Sequence, residues 1–207
     1  MMRPSRLVVG LLVLLSVAAH AQSYEVAGPL PSTYAPIPNG TVLSSISSFQ
    51  GATVALPFAF NYFGQSVTSV TMSNHGYLVF TGDAAESFNG GIPGSNTALT
   101  SFIAPWWDSM SQQATGSSTF RFQTLGVAPN RSVVFEWNQI SSTAASSSKF
   151  SFEAILFEST GQIRFAYGPA APTVATASVG IAKGPGVGVV PLSCTSANSG
   201  NCTAGSF

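Results

Sequence analysis

From residue 53 onward apolar and polar positions alternate with a period of two, the mark of strands that bury one face. Residues 53–63 set Val54, Leu56, Phe58, Phe60 and Tyr62 on one side and Thr53, Ala55, Pro57, Ala59 and Asn61 on the other. Pro57 puts this strand at a sheet edge or a bulge, because proline has no N–H for the ladder. Gly64-Gln65 turns the chain into residues 67–73, and Asn74-His75-Gly76 turns it again into residues 77–80, both as hairpin connections. The second half repeats the theme with residues 120–125, then Val133, Phe135 and Trp137 against Val134, Glu136 and Asn138. This last pattern predicts one buried and one wet face. Phe150, Phe152, Ala154 and Leu156 follow, and a turn at 159–162 leads to Ile163, Phe165 and Tyr167, with a last strand over 177–182. Helical periodicity is absent after the first twenty-one residues, so the chain is expected to be mainly β, a single antiparallel β-sandwich or flattened barrel of about eight to ten short strands.

Between the halves lies Phe102-Ile103-Ala104-Pro105-Trp106-Trp107-Asp108, which holds two of the three tryptophans and follows a polar, Gly-rich stretch at 81–101. A tryptophan buries a large ring and carries an N–H that needs a partner, so the pair reads as a core landmark and as the hinge between two halves of one domain. The stretch at 81–101 reads as a long loop.

The start of the chain changes the picture of where this domain works. Arg3 and Arg6 precede an apolar run ending in Ala19-His20-Ala21, the form of a secretory signal cut after Ala21 and shorter than the ~20 residues a spanning helix needs. The organisation expected is a signal peptide at 1–21, a Pro-rich lead-in at 22–40, a β domain at 41–192 and a tail at 193–207. The protein is then exported: secreted, periplasmic or peripherally attached to a cell surface, with no transmembrane segment after cleavage. Loss of Arg3 and Arg6 leaves five basic against seven acidic residues, a formal charge of −2, which argues against nucleic acid as a partner. Charged residues make up only 7% of the chain, so neutral polar groups cover its surface, a composition suited to contact with other surfaces. Cys194 and Cys202, the only cysteines, are expected to form a local disulfide in an exported tail.

Six motifs in order carry a family likeness: Phe58-Ala59-Phe60-Asn61-Tyr62-Phe63-Gly64, Ser73-Asn74-His75-Gly76-Tyr77-Leu78-Val79-Phe80, Ile103-Ala104-Pro105-Trp106-Trp107-Asp108, Val133-Val134-Phe135-Glu136-Trp137-Asn138, Gly161-Gln162-Ile163-Arg164-Phe165-Ala166-Tyr167 and Val179-Gly180-Ile181. Together they resemble the nidogen-like (NIDO) extracellular domain and similar modules of exported bacterial proteins, over residues 56–181. The resemblance implies a mainly β, non-catalytic adhesion, scaffold or surface-interaction module, with a protein or glycan on an extracellular surface as partner. It carries no catalytic residues. The turn before Tyr77 departs from the family, which commonly has Asn-Gly where this chain has His75-Gly76.

The residues with chemistry to offer are few. Trp106, Trp107 and Asp108 form the candidate binding surface, because adjacent strand residues point to opposite faces and one indole then stacks a sugar; this carbohydrate-binding module is the alternative reading. A hydrolase is the third, with Glu136 and Glu153 as the carboxylate pair, although solvated strand faces account for both. His75 beside Ser73 lacks the Gly-x-Ser-x-Gly elbow of a nucleophile and is expected at a turn, where histidine tolerates the left-handed conformation. Asp108 is expected to bond backbone in a turn, since calcium needs six to eight oxygens and no Asp-rich loop supplies them. No zinc set exists, and neither a metal nor a cofactor is expected.

Overall fold

The alternation of apolar positions becomes the two facing sheets of a sandwich. The computed structural model describes residues 23–25, 34–46, 51–82, 99–111, 118–143, 146–170, 177–184 and 190–192. These carry twelve strands and no α-helix: β1 (Thr41–Val42), β2 (Gly51–Tyr62), β3 (Gln65–Ser73), β4 (Leu78–Gly82), β5 (Leu99–Trp107), β6 (Met110–Ser111), β7 (Thr119–Leu125), β8 (Ser132–Ser142), β9 (Phe150–Phe157), β10 (Ile163–Tyr167), β11 (Ser178–Ala182) and β12 (Val190–Leu192). One sheet has the order β12-β11-β5-β4-β3-β2, the other β1-β7-β8-β9-β10 with β6 attached to β8. Neither sheet closes on itself, so the sandwich holds and the barrel does not. The strand count exceeds the expected range because β1, β6 and β12 are two or three residues long, too short to display a period. Residues 1–21, read as a signal peptide, the tail with Cys194 and Cys202, and most of the stretch read as a loop lie outside the described residues; strands β4 and β5 extend into both ends of that stretch.

Strand β2 follows its sequence pattern residue for residue. Ala52, Val54, Leu56, Phe58, Phe60 and Tyr62 are buried and the residues between them from Thr53 to Asn61 are exposed. It is the edge of its sheet, and its pairing with β3 is interrupted between Ala55 and Phe60, on either side of Pro57. The hairpin turns at Phe63-Gly64, one residue earlier than expected. Both have positive φ, 47° and 81°, as a two-residue turn with both central residues left-handed requires. A phenylalanine rarely takes that conformation. Here its ring is held edge-on against Tyr24 and Tyr62.

The predicted register of β8 is also observed, since Val133, Phe135 and Trp137 are in the core between the sheets. Its other face is not wet. Val134 and Glu136 are buried as well, because residues 34–40 lie across the outside of the sheet and Ile37 packs on Val134 and Ile155. The segment at 102–107 is not a hinge segment but β5 itself, in the interior of its sheet between β11 and β4. After β1 in the other sheet the chain runs β2–β5 in this one, crosses back only after β5, and returns with β11.

Candidate functional site

Proline shapes the Trp106-Trp107 pair. Ala104 pairs with Gly180 and Trp107 with Ser178, so β5 spends two residues, Pro105 and Trp106, where β11 spends one. This is a β-bulge, which suits a residue with no N–H. The extra residue shifts the alternation: Ile103 and Trp106 both face the sandwich core, while Phe102, Ala104 and Trp107 form a separate apolar cluster with Tyr77, Val79 and Ala182. Trp106 packs edge-on against Phe150 and Tyr167, and Trp107 edge-on against Tyr77 and Phe102. The two indoles do point to opposite faces. Both faces are buried, and Trp106, Trp107 and Asp108 present no open platform.

The turn at 74–76 docks on this bulge. The backbone N–H of Trp106 donates to the Gly76 carbonyl at 3.2 Å and the backbone N–H of Asp108 donates to the His75 carbonyl at 3.2 Å. A Cβ on Gly76 would sit 1.8 Å from the Trp106 carbonyl oxygen, and Gly76 has φ +81°, so only glycine fits. The left-handed residue of the turn is therefore Gly76 and not His75. Asp108 accepts from the Ser109 N–H at 2.8 Å and from the Ser142 hydroxyl at 2.9 Å, the turn role expected of it. His75 Nδ1 accepts the Met110 N–H at 3.2 Å, and Ser73 Oγ accepts the His75 N–H at 3.2 Å. Burial pushes the imidazole below its ordinary range. Trp137 completes the cluster by donating its indole N–H to the Ser73 carbonyl at 2.8 Å. These contacts, most of them to backbone, tie β3, β5, β6 and β8 together.

The second polar cluster lies on the outside of the β7-β8-β9 sheet. Arg121 is directly opposite Glu136, and Glu136 directly opposite Glu153. The two carboxylates, expected to be solvated, are 0% and 1% exposed. Arg121 bonds Glu136 at 3.2 Å. Tyr34 donates its hydroxyl to Glu136 at 2.9 Å and Ile37 its N–H at 3.4 Å. Burial and, to a smaller degree, the neighbouring Glu136 push the Glu153 carboxyl up to about 7, against an opposing bond from the Ala35 backbone. A carboxyl poised there holds or releases a proton near neutrality. Ser151, which accepts the Gln139 N–H at 3.0 Å, also bonds Tyr34.

Sequence reasoning singled out Glu136 and Glu153 but not their covering residues Tyr34 and Ile37, nor Arg121. Arg121 was reachable from the strand register, because it falls opposite Glu136 once the turn at 126–131 is counted. Among the described residues no group of three or more His, Cys, Asp or Glu side chains is placed to hold a metal ion, and no helix is long and apolar enough to cross a membrane.

No curated protein and no solved structure matches the chain. The family described as NIDO related matches residues 23–205, a span that takes in both polar clusters, the bulge and the overlying 34–40 segment. The motifs that suggested the family are here the parts that bond to one another, the turn at 74–76 against the 105–108 bulge and β8 against both, and the chain belongs to the NIDO-related family, one of extracellular type.

Proposed function

We propose that this protein is an exported, non-catalytic surface-interaction module that binds a protein or glycan on an extracellular surface. The observation that supports this most directly is the outer face of the β2-β3 hairpin. Thr53 pairs with Thr71, Ala55 with Ser69 and Asn61 with Ser66, and Pro57 and Ala59 are exposed beside them. Among the described residues of β2 and β3 no charged side chain interrupts this face. A neutral sheet face of small hydroxyl, amide and methyl groups meets another surface with little desolvation of charge and little side-chain ordering. Trp106, Trp107 and Asp108, which a sugar site would use, are buried, and Glu136 is taken up by Arg121, Tyr34 and the Ile37 N–H, which supports a role without turnover.

The test is binding of the purified chain from Gln22 to intact cells of the producing organism and to their insoluble envelope polysaccharide. Ala55→Glu with Ala59→Glu, both at exposed positions, is expected to lower binding at least tenfold while leaving the melting temperature within a few degrees. Binding that ignores the double substitution, or turnover of a glycan or peptide by the wild-type chain, overturns the reading.

A further inference from the structure

On the outside of β8 and β9 two carboxylates are buried directly opposite one another, and the hydrogen-bond donors around them are shared unequally. Glu136 takes the Arg121 guanidinium, the Tyr34 hydroxyl and the Ile37 N–H. Glu153 takes a backbone bond from Ala35, and its Oε1 is buried without a hydrogen-bond partner among the described residues. Two opposed carboxylates away from water do not both ionise without penalty, and burial together with the neighbouring Glu136 pushes the Glu153 carboxyl up. Three of these donors, Tyr34, Ala35 and Ile37, belong to the segment 34–40, whose Ile37 side chain is also buried against Val134 and Ile155.

We propose that Glu136 and Glu153 form a proton-dependent latch for the segment 34–40, which is docked while Glu153 carries a proton and loosened from the sheet when that proton is lost. The surroundings of Glu153 are consistent with this. From β8 it faces Glu136, with Arg121 of β7 beyond it and bonded to Glu136. From β10 it faces Ala166, and the nearest charge on that strand is Arg164, opposite Ile155, with its guanidinium 5.0 Å from the Phe157 ring centre. On its own strand Ser151 precedes it, with Lys149 beyond, and over it lie Tyr34 and Ala35.

The direction of the effect follows from which state holds the proton. The docked state keeps it to about 7, against an ordinary 4.5 once Glu153 is released to water. Docking is therefore strongest in acid, weakens as pH rises from 4.5 to 7, and levels off above that, by at most about tenfold per pH unit. The docked segment 34–40 is thus favoured in a mildly acidic exterior.

Amide hydrogen exchange on the purified chain between pH 5 and 8, corrected for intrinsic rates, tests the latch. The Ile37 amide is expected to lose at least tenfold protection across that range while the β8-β9 ladder amides keep theirs, and in Glu153→Gln it is expected to stay protected throughout. Flat protection of Ile37 in the wild type, loss shared by the ladder amides, or an unchanged slope in Glu153→Gln overturns it. If Glu153→Gln does not fold, the titration of the Glu153 carboxyl carbon in the wild type decides, because its midpoint must coincide with that of Ile37 protection.

Discussion

The two polar clusters of this domain are built on opposite terms. Around the turn at 74–76 the bonds run largely to backbone: His75 takes the Met110 N–H, Trp137 gives to the Ser73 carbonyl, and Asp108 takes the Ser109 N–H as well as the Ser142 hydroxyl. On the outside of β8 and β9, side chains bond to side chains, and one carboxylate oxygen is left without a partner. Backbone partners have no alternative charge state, so the first cluster is chiefly a structural joint, with the buried His75 imidazole as its proton-sensitive group. Carboxylates do, so the second is sensitive to protons. The pH responses of the two are opposite in sign. His75 has a lowered pKa, so the unfolded chain binds the extra proton and stability is lost as pH falls below the ordinary 6.5. Glu153 has a raised pKa, so stability is lost as pH rises from 4.5 to about 7.

The joint is where a substitution does the most damage. Trp137→Ala removes a fully buried ring together with the bond to the Ser73 carbonyl, and denaturant unfolding is expected to show a loss of about 3–5 kcal/mol. A loss under about 1 kcal/mol would mean that the turn at 74–76 is held without β8. Gly76→Ala comes next, at about 2–4 kcal/mol, because it adds left-handed strain to a Cβ pressed on the Trp106 carbonyl. Its melting curve tests whether the bulge is as rigid as the contact implies.

On the outer cluster the two glutamates separate. Glu136→Gln leaves Arg121 without its buried anion and is expected to cost about 2–3 kcal/mol at pH 7, where a solvated strand face would cost under about 0.5 kcal/mol. Glu153→Gln is expected to act the other way, stabilising by on the order of 1 kcal/mol at pH 8 and leaving stability nearly unchanged at pH 4, where Glu153 is mostly protonated in both states. The smallest effect sharpens the contrast of sign: in Glu153→Gln, stability between pH 5 and 6.5 should rise with pH, because the His75 response is then no longer opposed. A curve that still falls across that range would mean that another buried acid carries the response.

Much of the core was legible in the sequence. The alternation from Val54 to Tyr62 marks the buried face of β2, and Val133, Phe135 and Trp137 mark that of β8. Pro57 marks the edge and the interruption. The site was legible only as isolated residues. Glu136 looked solvated because Val134, Glu136 and Asn138 spell the wet side of a strand, and the residue that covers it, Tyr34, is 102 positions away. The tryptophans misled in a narrower way. Opposite faces were correctly expected for Trp106 and Trp107, but an open face was not found, since the Phe102, Tyr77 and Val79 cluster lies on the second side.

The sequence by itself determined the period, the turns, the β class and the family, all of which depend on residue type over short spans. The turn at 74–76 needed its glycine, β2 its alternation and the bulge its proline wherever the rest of the chain lay. Tertiary structure alone decided which strands became neighbours, that β11 returned beside β5, and that residues 34–40 came to lie on Glu136 and Glu153. A period of two states which side chains share a face, but it carries no information on what is packed against that face. Whether a glutamate there meets water or a buried neighbour depends on a distant segment, and that contact sets its charge.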